Sequence, residues 1–394
     1  MSNPNLAMIP SGYNAANAKL YSILPSDGSG DFTVSVDADA TRVNKDGLIE
    51  GVALNQARLT YDPLNPECPS LLLEPTRTNF ALNSDNTFLM SVIGGSENAT
   101  RTENYSTSPR GTLIASRLQA SITSGTSNYS LVGSSTTNYN GFYTASIYLK
   151  SNTGDEQQVA VYGRNSPIAN YTVTKDWKRF SFYGYNSPGQ TAFINVGILG
   201  QISGSSTEID ISLFGVQIEQ ENYQTSLITT QATAVTRTND VCGNAGDADL
   251  FDGNEGTMFV DIQKAFKGSN SGSISISDGS NNNRVVIAKQ SNNTQFRMFI
   301  ARVSSGNIIA QLTLNINFDV QNKLAITFKF GEFKFYVNGV LSSTETPNED
   351  IPIGLSKFAF NENNLGSQDF FGEINDVRYY NTVLTEAEAI KLTT

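Results

Sequence analysis

The stretch Ile209–Asp240, IDISLFGVQIEQENYQTSLITTQATAVTRTND, decides how the rest of the chain is read. Ile209, Ile211 and Leu213, then Val216 and Ile218, are apolar, with mostly polar or small residues between them. Alternation with a period of two is the pattern of a strand buried on one face. The phase slips at Phe214-Gly215-Val216, where a β-bulge, one extra residue, restores the apolar face. A polar segment, Glu219 to Gln231, comes next, and Thr236-Arg237-Thr238-Asn239-Asp240 opens a region of Gly, Asn and Asp. The stretch therefore reads as the last strand of one β-domain running into the linker to another.

Length and composition fit that reading. At roughly 150 residues per domain, 394 residues suggest two or three domains. Charged residues make up 16% of the chain, below the usual quarter, and turn-forming Gly, Ser, Thr and Asn fill the difference. No window holds 18 consecutive apolar residues, so membrane insertion is not expected. The opening MSNPNLAMIPSGYN lacks a basic region followed by an apolar core, so a secretory leader is not expected either. A net charge of -11 argues against a nucleic-acid partner, which would require phosphate neutralisation. Histidine is absent, which removes the commonest acid–base group and metal ligand. Two cysteines, Cys68 and Cys242, are too few for a disulfide framework, although one bridge between them stays open.

Taken in order, residues 1 to 30 read as a polar arm with short apolar clusters at Met8-Ile9 and Leu20 to Leu24. Residues 31 to 54 read as a hairpin around Asn44-Lys45-Asp46-Gly47, with Phe32, Val34 and Val36 facing Leu48, Ile49, Val52 and Leu54. Two strands rarely stand alone, so the hairpin needs another domain or subunit to pack on. Short strands separated by turn clusters, from Thr112–Gln119 to Glu208–Ile218, predict a first β-sandwich of jelly-roll type over 76–240. A second run, from Gly256–Lys264 to Phe370–Tyr380, predicts another over 246–394. A single helix is expected at Thr385–Leu392, with Thr385 and Glu388 forming a capping box. The fold class expected is all-β: an arm and β-hairpin over 1–75, then two β-sandwich domains. Three Thr-Arg-x-Asn copies, starting at Thr41, Thr76 and Thr236, fall at the junctions. Each Arg is expected to tie a crossing strand to carbonyls or carboxylates.

Several segments carry a family resemblance. LFGVQIEQ…YQTSLITT…AVTRTND resembles the end of a carbohydrate-binding-module-like domain common in phage virion proteins. ATRVNKDGLIE (Ala40 to Glu50) and CPSLLLEPTRTNFALNS (Cys68 to Ser84) resemble the amino-terminal signature of the same proteins. GEINDVRYYNTVLTEAEAI (Gly372 to Ile390) resembles the end of a laminin-G/concanavalin-like lectin domain. The resemblance implies a bacteriophage virion fibre or appendage protein of head or tail, assembled in the host bacterial cytoplasm. Its partners would be other virion proteins, sister copies in a homo-oligomer (a trimer by analogy with viral fibres) and host cell-surface polysaccharide. Assembly in cytosol would keep the cysteines reduced. A bacterial surface or secreted glycan-binding protein and a glycan-degrading enzyme on a sandwich scaffold are the alternatives.

Catalysis is hard to build from these residues. There is no Ser-His-Asp arrangement, no His-ligated metal and no phosphate-binding glycine loop. The acidic pairs Glu219 with Glu221 and Asp247 with Asp249 read as solvated loop charge. The run Asp247, Asp249, Asp252 lacks the spacing of a calcium loop. No enzyme activity, cofactor or metal is expected. A glycan surface is expected instead. Strand phase buries Ile147, Leu149, Val159, Val161, Phe180 and Phe182, which turns Tyr148, Tyr162, Arg164, Tyr183 and Tyr185 outward. If their strands are neighbours, these five form one aromatic patch. Trp177, the single tryptophan, reads as an anchor at a strand edge.

Overall fold

The computed structural model describes residues 2–394 except 64, 137–138, 252–254, 269, 303–306, 364–365 and 367, and for residue 65 the backbone only. It is all-β, with about half of the residues in strands. One α-helix occurs among the described residues, Glu386–Thr393, capped by Thr385 and Glu388 as the capping box requires.

The inserted sandwich comes from the middle of the chain. One sheet runs Asn98–Thr107, Leu113–Ser121, Glu208–Gln220, Gly141–Ser151, Lys178–Asn186. The other runs Ser91–Val92, Tyr129–Ser135, Phe193–Leu199, Gln157–Tyr162, Ala169–Val173. Their inner faces share one apolar core that includes Ile147, Leu149, Val159, Val161, Phe180, Ile211 and Leu213. The bulge expected in Glu208–Gln220 is present. The register with Gly141–Ser151 shifts between Ser146 and Tyr148, and Gly215 has φ +66°. A side chain there would be strained by backbone conformation and would press on Tyr148.

The second sandwich is not confined to 246–394. Its larger sheet runs Val340–Glu345, Glu332–Val337, Asn322–Lys329, Glu255–Ala265, Gly372–Tyr380, Asn65–Leu73, Leu59–Asp62. Leu6–Met8 also pairs with Gly372–Tyr380, Ala7 lying opposite Arg378. Phe32–Ser35 pairs with Val241–Gly243 in a small flanking sheet. The smaller main sheet, Asn307–Asn315 to Lys357–Ala359, closes the other side. Leu6, Met8, Leu20, Phe32, Val34, Leu59, Leu71 and Leu73 are buried in the same core as Val260, Ile287, Met298 and Val377.

This corrects the expected organisation. The amino-terminal 1–75 segment is not a separate arm and hairpin but supplies strands and core to the second sandwich. Burying those apolar side chains stabilises the fold by roughly 1.5–3 kcal/mol each, which no solvated arm would gain. The other domain that the hairpin needs to pack on is supplied by the chain itself. The expected hairpin is also re-paired. Phe32–Ser35 leaves it for Lys19–Leu20 and Val241–Gly243, and the true hairpin is Thr41–Val43 against Ile49–Gly51. Asn44 Oδ1 accepts the backbone N–H groups of Asp46 and Leu48 to close its turn. Cys68 is exposed and Cys242 buried, both as free thiols, so the bridge left open does not form.

The middle sandwich is thus an insertion. It leaves along Arg77–Asn79 and returns along Val235–Arg237, and these strands pair antiparallel, Arg77 opposite Arg237. The second and third Thr-Arg-x-Asn copies face each other there, with Thr78 and Thr236 hydroxyls hydrogen-bonded at 2.8 Å. If residues 80–234 are excised and Asn79 is joined to Val235 through an Asn-Gly turn, the remaining chain is expected to melt cooperatively by circular dichroism. Residues 241–394 alone are expected not to. Cooperative melting of that fragment at the full-length midpoint would refute the shared sandwich.

Candidate functional site

Where the insertion joins its host, four charged side chains are buried together. Arg58, Glu74, Arg237 and Asp240 are each 1% exposed or less. Arg58 Nη1 donates to Glu74 Oε2 at 2.5 Å, and its other terminal nitrogen pairs with Asp240. Arg237 Nη1 lies 2.7 Å from the same Glu74 oxygen. Ser226, on the loop after Glu208–Gln220, donates its N–H and hydroxyl to Glu74 at 2.7 and 2.6 Å. Backbone joins in, with Glu74 N–H donating to Asp240 Oδ2 and Asp240 N–H to the Glu74 carbonyl. Burial alone would push Glu74 up, but the two guanidiniums and Ser226 hold it down at about 2. Burial pushes Asp240 the other way, upward.

Each Thr-Arg-x-Asn arginine ties a crossing, as the sequence suggests. Arg42 pairs with Glu50 at 2.7 Å and Arg237 with Glu74, while Arg77 stands 3.9 Å from Glu219. Glu219 is fully buried and accepts from Thr225 and Gln217, so it is structural rather than a solvated loop charge.

Beside this cluster the two sandwiches and the Thr41–Val43/Ile49–Gly51 hairpin enclose a crevice of about 480 Å³. One wall is apolar: Ile49, Tyr148, Trp177 and Leu227. The other carries Lys264, Phe266 and Glu373 from the host sandwich. Glu74 and Ser226 form part of the lining, so the buried ion cluster sets its geometry. Hairpin and insertion are locked by Thr41 Oγ1 donating to the Leu227 carbonyl at 2.7 Å and Ile49 N–H to the Pro109 carbonyl at 2.9 Å.

The structure divides the expected five-residue patch. Strand phase is right at every position, but sheet membership is not. Gln157–Tyr162 pairs with Phe193–Leu199 and Ala169–Val173 in the opposite sheet. Tyr162 therefore packs edge-on to Phe193 (6.3 Å between centroids) on the far side of the sandwich. Arg164 donates to the Thr191 carbonyl there and lies over Phe193. Tyr148, Tyr183 and Tyr185 do share a face. Tyr148 is half-buried in the crevice under the hairpin, with the Arg179 guanidinium 5.4 Å from its ring centre. Tyr183 and Tyr185 are 57% and 43% exposed, at the other end of their strand beside exposed Phe142. Thr144, opposite Tyr183, is four residues from Tyr148 along its strand, roughly 13 Å at 3.3 Å per residue.

Sequence reading missed the crevice residues Lys178, Arg179, Lys264 and Phe266. Trp177 is the anchor expected, its indole N–H donating to the Thr107 carbonyl at 3.0 Å, and it also lines the crevice. Among the described residues no group of three or more His, Cys, Asp or Glu is placed to hold a metal; Asp252 lies outside them. No helix among the described residues is long and apolar enough to cross a membrane.

Residues 264–389, about a third of the chain, match the Concanavalin A-like lectin/glucanases superfamily. No curated protein sequence matches. Similar solved structures include the Ruminococcus gnavus IT-sialidase carbohydrate-binding module CBM40 bound to alpha2,3 sialyllactose. It is 15% identical, with 39% of this chain and 94% of that one covered and a TM-score of 0.32. Domain 4 of AbnA, an extracellular arabinanase from Geobacillus stearothermophilus, in complex with arabinotriose, is 17% identical, with coverages of 40% and 73% and a TM-score of 0.33.

Removing one partner of a buried pair strands the other charges, at a cost of about 3–5 kcal/mol. Glu74→Gln is expected to lose that much in urea unfolding. Because its folded pKa is depressed from 4.5 to about 2, the stability Glu74 contributes is full above 4.5 and lost as pH falls through 2. The wild-type protein should therefore lose stability over that window, and the variant less so. Equal stability of the two proteins at pH 7 would contradict the assignment.

Proposed function

We propose that the protein is a non-enzymatic glycan-binding appendage of a bacteriophage particle, and that the crevice between its two sandwiches is the saccharide site. The observation that carries the binding reading is the crevice itself. It is a recess of suitable volume with an apolar aromatic wall and convergent polar groups, the usual make-up of a small-ligand site. The lectin-superfamily match over 264–389 supports it, since Lys264, Phe266 and Glu373 of that region line the recess.

The virion part of the reading rests on the sequence resemblance at Ala40 to Glu50, Cys68 to Ser84 and Ile209 to Asp240. In that reading host-surface polysaccharide is the ligand, and other virion proteins are the partners. Several copies on one particle would raise the avidity of weak single sites by about 10²- to 10⁴-fold. Self-association as a trimer would serve the same end, through surface outside the buried amino-terminal strands.

Trp177→Ala is expected to weaken binding to glycans identified on an array about tenfold or more, with an unchanged far-UV spectrum. Unchanged binding would remove the crevice as the site. Finding the protein in purified particles by mass spectrometry tests the virion assignment, and its absence there would reject it. Release of reducing ends from bacterial polysaccharide by the purified protein would overturn the non-enzymatic reading.

A further inference from the structure

The crevice is unevenly charged. Lys178 is exposed at its rim, and Lys150, outside the lining, places its ammonium 5.3 Å from the Trp177 ring centre. Arg179 donates to Ser146 Oγ at 2.9 Å and to the Thr225 carbonyl at 2.6 Å, so its guanidinium is held in place by neutral acceptors. Lys264 stands 5.6 Å from the Phe266 ring centre. None of these four cations makes an ion pair with a carboxylate among the described residues.

The carboxylates nearby are fewer and mostly engaged. Glu74 is held by Arg58 and Arg237, and Glu50 by Arg42. Glu373 remains: burial pushes its carboxyl up, and Lys264, opposite it on the neighbouring strand, opposes that. Lys178 and Arg179, without a carboxylate partner among the described residues, thus lie at the apolar wall, and Lys264 faces Glu373 on the other, in a chain whose net charge is -11. Such a concentration of one sign in a low-dielectric recess focuses the field on an incoming anion. A long polyanion would meet the negative remainder of the surface, whereas a saccharide bearing isolated anionic groups would not.

We propose that the crevice takes an anionic saccharide, its acid group met by Lys178, Arg179 and Lys264 and its ring by Tyr148 and Trp177. This rests on the glycan-binding reading of the crevice and adds the ligand class.

Trp177 is the single tryptophan and lies in the crevice, so its fluorescence reports occupancy directly. The full-length protein is titrated with matched probes: 3′-sialyllactose against lactose, trigalacturonate against its carboxyl-reduced trisaccharide, a sulfated galactose trisaccharide, and a ten-residue oligothymidylate. At least one carboxylated saccharide is expected to bind tenfold or more tighter than its neutral counterpart. Added salt should weaken it, and a Lys178→Gln, Lys264→Gln double variant should bring it to the neutral level. Preference for the sulfated probe alone would support the anionic class with sulfate as its source. Equal affinity for acidic and neutral members would overturn the inference while leaving glycan binding intact. Tighter binding of the oligothymidylate than of any saccharide would overturn it in favour of a nucleic-acid ligand. If no saccharide changes the fluorescence and a glycan array is also blank, the glycan reading itself falls, and this inference with it.

Discussion

The structure depends on four charges taken out of water together. Arg58 and Glu74 belong to the amino-terminal part of the chain, Arg237 and Asp240 to the segment that returns from the insertion. Each would be costly to bury alone. Together, with Ser226, the Glu74 N–H and the Pro75 carbonyl bonded to them and only Arg58 Nε, Arg237 Nε and Asp240 Oδ1 left without a partner among the described residues, they form a junction with little tolerance for misplacement. Such a cluster contributes less to net stability than to fixing one arrangement, since a hydrophobic replacement could be as stable but would not specify geometry.

That arrangement explains the order of the chain. The second sandwich begins at Leu6–Met8, is interrupted after Leu73, and resumes at Val241. Arg77–Asn79 and Val235–Arg237 bring the ends of the insertion side by side, so a whole sandwich is added without breaking the host core. The crevice is a product of the same junction. Its walls come from the hairpin, the insertion and the host, and its lining includes Glu74. Tyr223 of the insertion stacking on Phe266 of the host, 5.6 Å between ring centroids and 19° apart in plane, is a second contact across the boundary.

Local features were legible in the sequence because they depend on neighbours in the chain. Alternation placed Glu208–Ile218 and Gly256–Lys264 within two residues of the observed Glu208–Gln220 and Glu255–Ala265, and Gly215 marked the bulge. Pairing was not legible where partners are far apart in sequence. Ala7 and Arg378 meet through 370 residues of intervening chain, and nothing in LAM distinguishes such a strand from an arm. The same limit split the aromatic patch. Period two tells which way Tyr162 points relative to Val161, but not which sheet its strand joins. The cations of the crevice escaped notice because Lys178 and Lys264, unremarkable singly, are brought together only by the fold.

The central claim is that the amino-terminal segment and the last 150 or so residues form one cooperative sandwich with the insertion clamped into it. Amide hydrogen exchange of the full-length protein tests this most directly. Leu6–Met8 and Asn65–Leu73, which pair with Gly372–Tyr380, should share its protection factors within about tenfold, and Val235–Arg237 should be protected with them. Exchange of Leu6–Met8 and Asn65–Leu73 at the rate of an unstructured arm, with Gly372–Tyr380 still protected, would contradict it.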